Sequence, residues 1–74
     1  MNEKRVIQEI LKYKKISHKQ IAPILGYSKS ENVSWVLIQK GSMRVDRLMD
    51  YLNAMNCELV IRDKDSDKEW TIEL

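Results

Sequence analysis

Seventy-four residues make one domain, and 43% hydrophobic with 32% charged residues is a globular composition, not a disordered one. The net charge of +2 hides a division: ten basic against four acidic residues through Arg47, then three against seven, or +6 followed by −4. No apolar run reaches the length of a membrane span and no basic, apolar leader opens the chain, so a cytoplasmic protein is expected, and the single cysteine, Cys57, excludes an internal disulfide.

Helix one is predicted over about Asn2–Tyr13. Val6, Ile7, Ile10 and Leu11 recur at helical spacing and form one apolar stripe. Asn2 is the expected N-cap. Glu3 in the first turn and Lys12, Lys14 and Lys15 near the end suit the helix dipole. Lys14 and Lys15 read as a solvated helix end or, against DNA, as contacts to the backbone alone.

Ser17 to Gly41 reads as two short helices joined by a tight turn. Ser17 and Gln20 have the spacing of a capping box, which opens helix two over about His18–Leu25. Ile21, Ala22, Ile24 and Leu25 are its apolar positions. Pro23 removes a backbone donor inside it and predicts a bend. Gly26 then supplies the left-handed stop. His18 has no companion acid, nucleophile or metal-ligand pattern, which leaves an exposed helix-start residue or a donor to phosphate. Ser28 and Glu31 repeat the capping-box spacing, so helix three is predicted over about Lys29–Gln39. At about 100° per residue, Val33, Val36, Leu37 and Lys40 form its inner side. Asn32, Ser34, Trp35, Ile38 and Gln39 then face outward, with Lys29, Ser30 and Glu31 at the N-terminal end. Trp35 has two readings here: exposed on the outward side, or packed against helix four as core.

The segment QKGSMR is a turn, with Ser42 as the expected N-cap of helix four over about Met43–Met55. Val45, Leu48, Met49, Leu52 and Met55 are its stripe, and the methionines read as gap-filling core. Asn56 falls where a left-handed C-cap is expected. From Cys57 the period changes to two. Cys57, Leu59 and Ile61 alternate with Glu58, Val60 and Arg62; after the polar turn DKDSD, Trp70, Ile72 and Leu74 alternate with Glu69, Thr71 and Glu73. A lone hairpin is marginal in water, so its apolar face is expected to cover the helices and its free edge to accept another strand. DKDSD lacks the glycine and distant glutamate of a calcium loop and reads as a solvated turn.

The expected fold is mostly α with a C-terminal β-hairpin: one helix-turn-helix domain, residues 1–74, helical to about 56 and hairpin from 57 to 74. The text SHKQIAPILGYS, then VSWVL, then RVDRLMDYLNAM followed by CELVIR resembles the phage repressor and Cro-like (XRE-like) helix-turn-helix family. The resemblance covers nearly the whole chain. It departs from the family where the branched anchor of helix three is due: Asn32 stands there and Val33 comes one residue later, so one extra residue lies in the turn or at the helix start. The resemblance implies a sequence-specific DNA-binding regulator, a dimeric repressor of a phage or mobile-element operon. It would bind a palindromic double-stranded operator and pair through its hairpin tail. Helix three would enter the major groove with Lys29, Ser30, Asn32, Ser34, Trp35 and Gln39 toward base edges. His18, Lys19, Gln20, Ser28, Lys40 and Arg44 would meet phosphates. A rival from another class is a protein-binding module on the same fold, an antitoxin or an inhibitor of a host defence protein, anchored by Trp35 and Ile38. One histidine, one cysteine and no paired carboxylates give no expectation of an enzyme, a metal or a cofactor.

Overall fold

The computed structural model describes residues 1–73; Leu74, expected to continue the alternation of the second strand, lies outside the described residues. The order is α1 (Glu3–Lys14), α2 (His18–Ile24), α3 (Glu31–Ile38), α4 (Val45–Ala54), β1 (Leu59–Arg62) and β2 (Glu69–Ile72). This is the expected mostly helical domain with a C-terminal antiparallel hairpin. No helix among the described residues is long and apolar enough to cross a membrane.

Three of the helices end in the same way. A left-handed residue turns the chain back, and the next N–H reaches five residues upstream. Lys15 (φ 57°) sets Ile16 N–H on the Leu11 carbonyl at 2.9 Å; Gly26 (φ 86°) sets Tyr27 N–H on Ala22 at 2.9 Å; Asn56 (φ 58°) sets Cys57 N–H on Leu52 at 2.8 Å. Gly26 and Asn56 were foreseeable as the residue types that tolerate this conformation; a lysine gives no such sign.

The helix starts agree less well. The Ser17 box forms: Gln20 N–H donates to Ser17 Oγ at 3.1 Å and Ser17 N–H to Gln20 Oε1 at 2.8 Å. Asn2 occupies its cap position without a side-chain bond. The Ser28–Glu31 box does not form; α3 starts at Glu31, behind Ser30, and Ser28 and Lys29 belong to the turn. Ser42 does not cap α4 either. Met43 is drawn into the core, and its N–H is held by Glu3, which keeps the chain out of helix until Arg44. Pro23 is the last residue but one of α2, and the helix ends one residue after it.

The core is built from Ile7, Leu11, Ile21, Ala22, Leu25, Val33, Leu37, Met43, Met49, Tyr51, Leu52 and Met55. Three methionines fill it as expected, whereas Met1 is exposed. Val6, Ile24 and Val45, expected on apolar stripes, are exposed instead, and Tyr51 is buried. Ile24 and Val45 stand at the ends of short helices, where the stripe has turned past the core.

Helix α1 fastens α3 and α4 by their ends. Glu3 Oε2 accepts from Met43 N–H at 2.7 Å. Lys4 Nζ donates to the Gln39 carbonyl at 2.9 Å, and Gln8 Nε2 to that of Leu37 at 3.2 Å. Lys14 Nζ donates to the Met55 carbonyl at 2.7 Å and to Asn56 at 3.4 Å. The last carbonyls of α3 and α4 have no intrahelical N–H to accept from, and these side chains replace it. Lys14 is thus a clasp on the end of α4, not a free solvated end.

In the hairpin Leu59 pairs with Ile72 and Ile61 with Trp70, so all four share one face. Its root packs on the helices through Cys57, Leu59 and Ile72. Its outer half does not: Ile61 is 51% and Trp70 49% exposed. The expectation that the apolar face covers the helices therefore holds only at the root. The turn is closed by Asp63, whose carboxylate accepts from Asp65 N–H at 2.9 Å and from Ser66 Oγ at 3.1 Å.

Candidate nucleic-acid interface

Val33, wholly buried, and Leu37 seat α3 on the core, with Val36 half-buried beside them. That seating fixes what the helix shows outside. Trp35 lies opposite the buried stripe at 62% exposure and Ile38 at 70%; Glu31 and Gln39 are exposed beside them and Asn32 is half-buried. The core reading of Trp35 is thereby ruled out. Ser30 and Ser34 are corrected in the other direction. Both are half-buried on the flank that faces α2, and Ser34 Oγ is hydrogen-bonded to His18 Nδ1 at 2.7 Å. Ser34 is a brace between the two helices, not a free side chain on the outward surface.

The residues expected at phosphates fall into two groups about this surface. Lys19 and Ser28 line one shallow depression of about 420 Å³ at the turn, together with Pro23, Tyr27 and two residues expected at base edges, Lys29 and Ser30. Lys40 and Arg44 are exposed beyond the other end of α3. Arg44 pairs with Asp46 at 3.5 Å, but both side chains are largely in water, so the pair holds Arg44 weakly. Two residues have structural duties. His18 is half-buried and tied to Ser34, which leaves its Nε2 side for a ligand. Gln20 gives its carboxamide oxygen to the cap and keeps only its NH₂ donors.

Sequence reading overlooked Arg47. From the first turn of α4, its Nη2 donates to the Leu25 carbonyl at 3.0 Å, just ahead of the Gly26 turn, and its Nη1 meets Asp50 Oδ2 at 3.2 Å. Its guanidinium lies over the Tyr27 ring at 4.9 Å and the Tyr51 ring at 5.4 Å. The two phenols are joined at 3.0 Å, and burial pushes the Tyr51 hydroxyl well above its ordinary value. The cluster locks the turn between α2 and α3 onto α4 and so sets the aim of α3. Asp50 and Tyr51, three and four residues after Arg47, were its visible sequence signal; Tyr27 was not foreseeable.

No family model, curated protein or solved structure matches this chain.

Proposed function

We propose that this protein is a sequence-specific DNA-binding regulator that acts as a symmetric dimer, a binding protein and not an enzyme. The observation that carries the reading is the outward side of α3, an exposed helical surface set between Lys19 and Lys29 at one end and Lys40 and Arg44 at the other. An α-helix fits the major groove, and cations at both ends of it fit the two phosphate walls. In this reading α2 crosses the backbone, and the acidic last third of the chain stays off the phosphates. The resemblance to phage repressors makes repression of a phage or mobile-element operon the specific form proposed. Dimerisation is assigned to the hairpin because Ile61 and Trp70 are exposed beside an apolar groove of about 380 Å³ lined by Val6, Ile10, Leu48 and Leu59. Two copies related by a two-fold axis read half-sites about 34–36 Å apart.

One observation favours a second reading, a protein-binding module. Trp35 and Ile38 together are the kind of anchor that a protein partner covers. A mobility shift with DNA from upstream of its own gene, run over a salt series, separates the two. A steep fall of affinity with salt and a preference over random duplex are expected. A flat, weak response with no preference sinks the DNA reading and leaves the protein partner.

A further inference from the structure

We infer that α3 selects DNA through thymine methyl groups, touched by Trp35 and Ile38, and that each half-site is therefore A·T-rich at its centre. The inference rests on the DNA reading above and names the chemistry of its target.

The major-groove edge of guanine offers two acceptors, N7 and O6, and proteins read them chiefly with arginine or lysine. Between Lys29 and Lys40 the chain has neither. The centre of the outward side is apolar instead, with Trp35 62% and Ile38 70% exposed. The one apolar group a base pair shows in the major groove is the thymine C5 methyl. Trp35 and Ile38 are three residues apart, about 4.5 Å along the helix axis. That is little more than the 3.4 Å between successive positions on one strand, so they reach adjacent base pairs. Gln39, exposed on the flank, has the donor and acceptor that match adenine N6 and N7. Glu31 lies on the same side as Trp35, one turn earlier. A carboxylate there is repelled by phosphate and accepts only from amino groups of bases, so it faces cytosine or adenine at the N-terminal end. Ser34, the small hydroxyl that tolerates any base, is withdrawn to His18. Every free group at the centre of the face thus favours A·T pairs.

The test starts from a random duplex library and selects what the full-length protein retains. The selected sites are then resynthesised with deoxyuridine for thymine, one position at a time, which removes the methyl and leaves the pairing intact. Two adjacent thymines per half-site are expected to lose about fourfold in affinity each, the worth of one buried methylene. In Trp35→Ala one of these losses should vanish, and in Ile38→Ala the other. Both side chains are exposed, so both variants should keep their thermal midpoint. The wild-type series needs no variant at all. Specific binding with a G·C centre, or with no response to deoxyuridine, overturns the methyl inference and leaves the DNA reading standing. Responses that persist in both variants overturn the assignment to Trp35 and Ile38. Enrichment of no duplex overturns the DNA reading itself, and this inference with it.

Discussion

Replacing Arg47 by alanine should destabilise the protein by far more than is usual for a partly exposed residue. The bond from Nη2 to the Leu25 carbonyl is charge-assisted, worth about 1.5–3 kcal/mol. Two rings lie within 4.9 and 5.4 Å of the guanidinium, each adding about 0.5–1 kcal/mol. The pair with Asp50 has side chains 32% and 46% exposed and adds only about 0.2–0.5 kcal/mol. These contributions share one group and do not add in full, so the expected loss is about 2–4 kcal/mol. A chain this size has roughly 4–11 kcal/mol in all. At about 4–8 °C per kcal/mol, the thermal midpoint should fall by roughly 8–32 °C. Arg47→Lys keeps the charge but not the planar fork that spans Leu25 and Asp50, and should recover less than half of the loss. Tyr27→Phe removes only the 3.0 Å phenol bond, at about 1 kcal/mol. Urea unfolding of the three variants measures the series. A loss below about 1 kcal/mol for Arg47→Ala, or a lysine as good as arginine, would refute the claim that this cluster holds the turn.

Four further outcomes are expected. The Met43 N–H holds the Glu3 carboxyl below its ordinary value of 4.5, against an opposing effect of burial. Its contribution is therefore complete above that value and is lost as pH falls through the lower, folded one; the acid limb of a midpoint-against-pH curve should flatten in Glu3→Gln, and an unchanged limb counts against the bond. Lys15→Gly should raise stability by about 0.5–1 kcal/mol by relieving a left-handed lysine, and calorimetry finding a loss instead would show that the strain is absent. Lys40→Ala should weaken all duplexes nearly equally and reduce the salt slope by about one, whereas an unchanged slope removes Lys40 from the phosphate contacts. Sedimentation should show a dimer for the full chain and a monomer for Trp70→Asp; a dimer that survives the aspartate takes the hairpin out of the interface.

What could be read from the sequence followed from periodicity and from residues with special backbones. Val33 and Leu37 announced the seating of α3, Gly26 and Asn56 the helix stops, and the change of period at Cys57 the hairpin. Helix starts were less legible, because Ser28, Ser30 and Ser42 all carry a capping hydroxyl while tertiary contacts choose among them. The Met43 bond to Glu3 displaced the start of α4, and no local pattern reports a partner 40 residues away. At the candidate site the outward set was half right. Helical spacing alone placed Trp35, Ile38 and Gln39 outside, but the side from which α2 packs decided that Ser34 would be used up by His18. Arg47 looked like one more surface cation, since its value depends on two rings and a carbonyl brought in from elsewhere.

The fastenings of α1 also bear on how the chain assembles. They join residues 29 to 42 positions apart, and all of them originate on a single helix. Closing a loop of about 40 residues costs about 3 kcal/mol plus a constant, but once Lys14 has met Met55 the remaining bonds close with little further loss of chain freedom. During synthesis Lys4 must wait for α3 and Lys14 for α4 before either finds its carbonyl. Assembly then comes late and at once, and the Met43 amide, held by Glu3, should exchange with solvent only when α1 lifts away as a unit. A chain shortened by its first fourteen residues keeps every residue of the α2–α3 unit and loses what holds α3 and α4 at their ends.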